Sequence, residues 1–142
     1  PEIIRILENG HTVTFGLTGF SMRPFLEHCR DKVRLIQPKN IKKGDSVLAE
    51  IQPKTYVLHR IIKIKNREVF MRGDGNVYTE HCQLKNIKGL AIEFYRKGKS
   101  KPDKINGWKW KSYSRIWCSL LPVRKYILSA YRSIWIPLFG TI

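Results

Sequence analysis

Tyr56-Val57-Leu58-His59-Arg60-Ile61-Ile62-Lys63-Ile64, followed by Asn66-Arg67 and then Glu68-Val69-Phe70-Met71-Arg72, is the stretch that decides the fold. β-Branched and aromatic residues crowd both runs, and a tight turn fits between them, so the segment predicts an antiparallel hairpin. Upstream, Thr12 to Leu17 alternates like a strand, Lys32 to Ile36 is a second closed by Pro38, and Ser46 to Ile51 is a third after the turn Lys42-Lys43-Gly44-Asp45. Downstream, Ile87 to Tyr95 is a sixth strand, with Ala91 and Glu93 on one face and Ile92 and Phe94 on the other. Many short strands separated by turn signals predict a mainly β chain, an antiparallel sheet or barrel. Residues 1–10 predict a short helix, with Ile3, Ile4 and Leu7 on one face and Gly10 as its C-cap.

Composition narrows the possibilities. A chain of 142 residues that is 42% hydrophobic has the apolar content for one packed domain. It carries 27 Lys+Arg against 11 Asp+Glu, a formal charge of +16, which favours anionic partners without specifying a fold. Cys29, Cys82 and Cys118 are odd in number and far apart, with no C-x-x-C pair. They read as reduced thiols facing a cytosol-like compartment, and they argue against a zinc ribbon or a redox motif. No cofactor and no metal site are expected. The sequence shows no signal peptide and no apolar run of transmembrane length.

Three stretches could carry chemistry. In Gly19-Phe20-Ser21-Met22-Arg23-Pro24-Phe25-Leu26 a serine follows the first strand. Gly19 permits a close approach, and Pro24 turns the chain sharply, presenting one hydroxyl at a strand end. His59 lies in an apolar strand, where a polar ring needs a reason. Asp74 lies in Gly73-Asp74-Gly75-Asn76 and can bond its own turn. Acyl transfer by serine needs a base for the hydroxyl proton and often an acid to orient that base, and neutral histidine suits the base role near pH 7.

Taken together, these boxes resemble the signal peptidase I and LexA-type serine peptidases. Gly19 to Pro24 is similar to their G-x-S-M-x-P box, Gly44-Asp45-Ser46-Val47-Leu48 to their Gly-Asp box, Val57 to Ile61 to the strand bearing the base, and Gly73 to Asn76 to the Gly-Asp-Asn box. The order agrees over residues 10–95. Bacterial signal peptidases and LexA-type repressors carry lysine as the base. His59 here is similar to the branch of archaea and the endoplasmic reticulum, where the base is histidine. The resemblance implies a coiled antiparallel sheet or barrel, Ser21 as nucleophile, His59 as general base and Asp74 as orienting acid. Glu80 stands as a candidate second acid, and Asp45 as a turn residue. The resemblance also implies an oxyanion hole built on the backbone N–H of Ser21, supported by the turn of Gly19, Met22 and Pro24. Bacterial members add a serine hydroxyl two residues before the nucleophile. Gly19 stands there in this chain and removes a donor typically worth about 3 kcal/mol. The implied substrate is an extended peptide or preprotein with small residues beside the scissile bond, bound as an added strand.

Beyond residues 1–95, a peptidase-like unit on this reading, Arg96 to Gly107 reads as a basic linker. Residues 108–142 change character: all four tryptophans, six basic residues and no acid. Tyr113, Ile116, Trp117, Leu120 and Leu121 follow helical spacing, as do Tyr126/Ile127, Ala130/Tyr131 and Ile134/Trp135, with Pro122 breaking the run into two helices. This amphipathic tail is expected either to cover the sheet or make a dimer, or to lie on an anionic membrane surface, which would give a membrane-associated location. Two other functions compete with the peptidase. A LexA-like self-cleaving module needs a DNA-binding domain and a cleavage loop. A non-enzymatic basic protein that binds nucleic acid or membrane leaves the ordered Ser, His and Asp boxes unexplained, so nucleic acid is the less favoured partner.

Overall fold

A computed structural model of the chain describes residues 2–17, 22–23, 25–27, 29–76, 78–96 and 101–141. Helix α1 (Glu2–Glu8) leads into β1 (Val13–Gly16), β2 (Lys32–Ile36), β3 (Ser46–Gln52), β4 (Thr55–Lys65), β5 (Glu68–Arg72), β6 (Glu80–Gln83), β7 (Ile87–Tyr95) and β8 (Asp103–Lys104). All pairings are antiparallel, in the order β1-β2-β7-β3-β4-β5-β6, with β8 on β7. The chain is therefore mainly an antiparallel sheet with a helical C-terminal segment, as the sequence predicts, and the sheet is not closed into a barrel. It curls, so that β6 approaches β3.

The β4–β5 hairpin forms where expected. Asn66 and Arg67 both adopt positive φ, +49° and +67°, the backbone a two-residue turn needs to match strand twist. β3 is buried on both faces, and two apolar clusters form on opposite sides of it. One gathers Leu48, Leu58, Val33, Leu35, Ala91 and Phe94, and the other Val47, Ala49, Ile61, Val69, Met71 and Leu90. Alternation along each strand produces this division, since neighbouring side chains leave on opposite faces. α1 closes the first cluster through Ile4 and Leu7. It sits close because Gly89 has no side chain: a Cβ there would lie 3.1 Å from Leu7 Cδ1 and 3.2 Å from Leu35 Cδ1.

Two strands escape the sequence pattern. β6 buries only Cys82, so it shows no apolar alternation, and β8 is two residues long within the stretch read as a linker. After β8, helix α2 (Trp108–Ser119) packs its Trp110 into the first cluster, stacked on Phe94 with ring centroids 4.4 Å apart. A 3-10 turn containing Pro122 separates α2 from α3 (Arg124–Ala130), the break that Pro122 predicts. A π-helical turn (Tyr131–Trp135) and α4 (Ile136–Phe139) follow.

α2 thus completes the core of the sheet. Trp110→Ala is expected to destabilise the chain by about 3–5 kcal/mol, the usual loss for a buried tryptophan. Urea unfolding measures it, and an unchanged midpoint would mean that α2 does not contribute to the core.

Candidate active site

β4 supplies two adjacent polar residues, His59 and Arg60, both buried. Being neighbours on a strand they project to opposite faces. Arg60 shares its face with Leu58 and the first cluster, while His59 shares its face with Ile61 and the second.

On the first face, Arg60 and Asp74 form a fully buried ion pair. Nε donates to Oδ1 and Nη2 to Oδ2, each at 2.7 Å. Arg60 Nη1 donates to the Gly44 carbonyl at 3.1 Å and also bonds Ser114 Oγ of α2. The guanidinium lies 4.4 Å from the Trp110 ring and 5.1 Å from the Tyr113 ring. Tyr113 Oη donates to Asp74 Oδ2 at 2.8 Å, and Trp117 Nε1 donates to the Asp74 carbonyl at 3.1 Å. Burial and the neighbouring Asp74 charge both raise the Tyr113 pKa well above its ordinary value, so the phenol keeps the proton that it donates. For Arg60, burial alone would lower the pKa, but the charge of Asp74 and its hydrogen bonds turn the net shift upward. Arg124 of α3 is buried beside this group. It donates to the Trp117 carbonyl at 3.0 Å and reaches the Gly73 carbonyl at 3.4 Å.

On the second face, the carboxylate nearest His59 belongs to Glu80. Glu80 Oε2 lies 3.3 Å from His59 Nδ1, within ion-pair distance though off hydrogen-bond alignment. Neither atom has a hydrogen-bond partner, so each is the natural complement of the other. β6 places Glu80 there by pairing it with Met71, one strand beyond β4. Of the two acids weighed in the sequence, Glu80 rather than Asp74 therefore faces the imidazole. The reason is the alternation of β4, which commits both oxygens of Asp74 to Arg60 and Tyr113 on the other side. Burial lowers the His59 pKa from its usual value, opposed first by the charge of Glu80 and then by that of Asp74. The neutral ring, which can accept a proton, is thereby the favoured form near pH 7.

Ser21, Gly19 and Pro24 lie outside the described residues. The described residues beside them pack on the Arg60 face of the sheet. Met22, Phe25 and Leu26 are buried in the first cluster, and Leu26 N–H donates to the Met22 carbonyl at 2.9 Å. Phe25 stacks on Tyr113 with centroids 4.6 Å apart and meets Phe94 edge-on at 5.1 Å. The Asp31 carboxylate accepts from the Glu27 N–H at 2.8 Å and takes a two-point ion pair from Arg30 at 2.7 and 2.8 Å. Asp45 is a turn residue, as expected: it accepts the Lys42 N–H at 3.0 Å. Nothing in the sequence marks Tyr113 and Trp117 as partners of Asp74, Ser114 as a partner of Arg60, or Arg124 as a partner of the Gly73 carbonyl. The sequence shows only a set of polar-capable side chains on the inner face of an otherwise apolar helical stripe.

No protein-family model matches this chain, and no curated protein matches it. Among the described residues no group of three or more His, Cys, Asp or Glu could hold a metal ion. What the described residues bring together is a buried imidazole beside a carboxylate. Asp74, with Arg60, has a separate structural task.

The two acids are expected to differ in stability. Asp74→Asn leaves Arg60 buried beside a neutral amide and should cost about 3–5 kcal/mol in urea unfolding. Glu80→Gln, at a partly open site, should cost less than about 1 kcal/mol. Equal losses would contradict the division of roles.

Proposed function

We propose that the chain is a serine endopeptidase resembling the signal peptidases, which removes a leader or signal segment from a secreted peptide. The observation that carries this reading is the buried His59 ring with the Glu80 carboxylate at its Nδ1, on a sheet whose first strand runs into Gly19-Phe20-Ser21-Met22. In this mechanism Ser21 Oγ attacks the scissile carbonyl and His59 Nε2 takes the hydroxyl proton. The same proton passes to the leaving amine, and an acyl-enzyme on Ser21 remains. Water, deprotonated by His59, then releases the acid product. Glu80 holds the ring with Nδ1 protonated and stabilises the imidazolium that forms. Asp74 acts at one remove, since its pairing with Arg60 fixes the loop between β5 and β6 that leads to Glu80. The reading is also supported by the ordered boxes shared with the signal peptidase and LexA-type enzymes and by the curled antiparallel sheet that such a fold would require.

The test is cleavage of a panel of leader-like peptides with small residues before the scissile bond, followed by mass spectrometry. Ser21→Ala should abolish turnover, and persistence of cleavage would remove the nucleophile assignment. His59→Lys should also be inactive, because its ammonium would be held charged by Glu80 at neutral pH.

The pH profile gives an independent check. With the His59 pKa lowered by burial, kcat/KM should rise through a limb below the ordinary histidine value of about 6.5 and stay level above it. Glu80→Gln removes the charge that favours the imidazolium. It should move that limb to still lower pH while reducing the plateau by about 10²- to 10⁴-fold. A limb that moves upward would contradict the pairing.

A further inference from the structure

α3 and the residues after it form a strap. At one end Arg124 reaches the Gly73 carbonyl, and at the other Thr141 Oγ1 accepts from Arg30 Nη1 at 3.0 Å. The inner side of the strap is anchored by Leu128 and Tyr131, both buried. The outer side is strongly apolar. Tyr126, Ile134, Trp135, Leu138 and Phe139 are between 45% and 69% exposed, and Trp108 at the start of α2 is 75% exposed. Trp135 and Phe139 pack on each other with centroids 4.7 Å apart, in a patch that nothing else in the described chain covers. Side chains of this size are rarely left in water together without a partner.

The charges around them select the partner. Lys109, Lys111, Arg115, Lys125 and Arg132 are exposed on the same helical segment, and no Asp or Glu follows Asp103. Two copies meeting through this surface would bring five cations of one against five of the other, in a chain already at +16. An anionic bilayer surface meets both demands: its headgroups attract the cations, and the acyl boundary takes the tryptophans, leucine and phenylalanine. No helix among the described residues is long and apolar enough to cross a membrane, so the contact is one of lying on the surface.

We infer that the outer face of residues 108–139 is a docking surface for an anionic lipid bilayer. The strap is tied at one end to Arg30, in the segment that follows Ser21, and at the other to Gly73, in the loop that leads to Glu80. Docking therefore holds the candidate active site at the membrane interface, where a leader segment partitioned into lipid would be met. This last step rests on the peptidase reading, whereas the docking surface stands without it.

The experiment uses the full chain carrying Ser21→Ala, so that a failure of binding and a failure of peptide cleavage are read on separate measurements. Sedimentation with vesicles of phosphatidylcholine containing about 30% phosphatidylserine is compared with phosphatidylcholine alone. Binding to the anionic vesicles that weakens with added salt, with a blue shift of tryptophan emission, is expected. Trp135→Ser, Leu138→Ser and Phe139→Ser together should reduce partitioning roughly tenfold or more. Lys125→Gln with Arg132→Gln, which leaves the apolar patch intact, should also weaken it severalfold, by about fivefold or more. Absence of binding, or equal binding to both vesicle types that neither variant changes, would overturn the inference. Self-association that the triple substitution abolishes, without vesicle binding, would also overturn it and assign the patch to a second copy of the chain.

Discussion

A charged pair with no access to water dictates much of the architecture. Taking a guanidinium and a carboxylate out of solvent costs several kcal/mol each, and their attraction repays this only with near-complete hydrogen bonding. Here the bonding is supplied from four parts of the chain. The Gly44 turn offers a carbonyl, and α2 offers a phenol and a hydroxyl side by side. The loop after β5 brings the acid, and β4 brings the cation. None of these elements can move independently while Arg60 and Asp74 remain buried. The aromatic rings around the guanidinium extend the constraint to Phe25, and through it to the segment that follows Ser21.

The same strand carries a second, different pairing on its reverse side. His59 and Arg60 are covalent neighbours, yet each finds its own acid. Both oxygens of the structural acid accept hydrogen bonds, Oδ1 from Arg60 and Oδ2 from Arg60 and Tyr113. The acid beside the imidazole has an oxygen without a hydrogen-bond donor, as does the ring nitrogen facing it. That contrast separates groups locked for stability from groups whose proton affinity can be used.

Most of the sheet is legible in the sequence because six of its strands have the composition and turns of strands. The αL pair Asn66-Arg67 and the break at Pro122 are local signals, and both are found where they are expected. β6 is not legible, since it is a polar edge strand with one buried side chain, and with it went the placement of Glu80. The partnership of Asp74 is illegible for another reason. Its ligands Arg60 and Tyr113 lie 14 and 39 residues away, and only tertiary packing brings them together. Alternation along β4 does separate His59 from Arg60, but it does not say which acid belongs to which face. Packing of α2 into the core is likewise decided by Trp110 meeting Phe94, a contact that helical periodicity does not reveal.

The position of α2 late in the chain bears on biosynthesis. A ribosome delivers β4 and the Gly73-Asp74 loop long before residues 108–124 emerge. Until then Arg60 and Asp74 lack Tyr113 and Ser114, and the rings meant for the Phe25 pocket are still in the exit tunnel. Domains consolidate as their parts become available, so the nascent sheet remains open on this side. The framework around Arg60 and Asp74 is therefore completed only once α2 has emerged, and a chain lacking α2 would leave a charged pair half-solvated in place of a finished core.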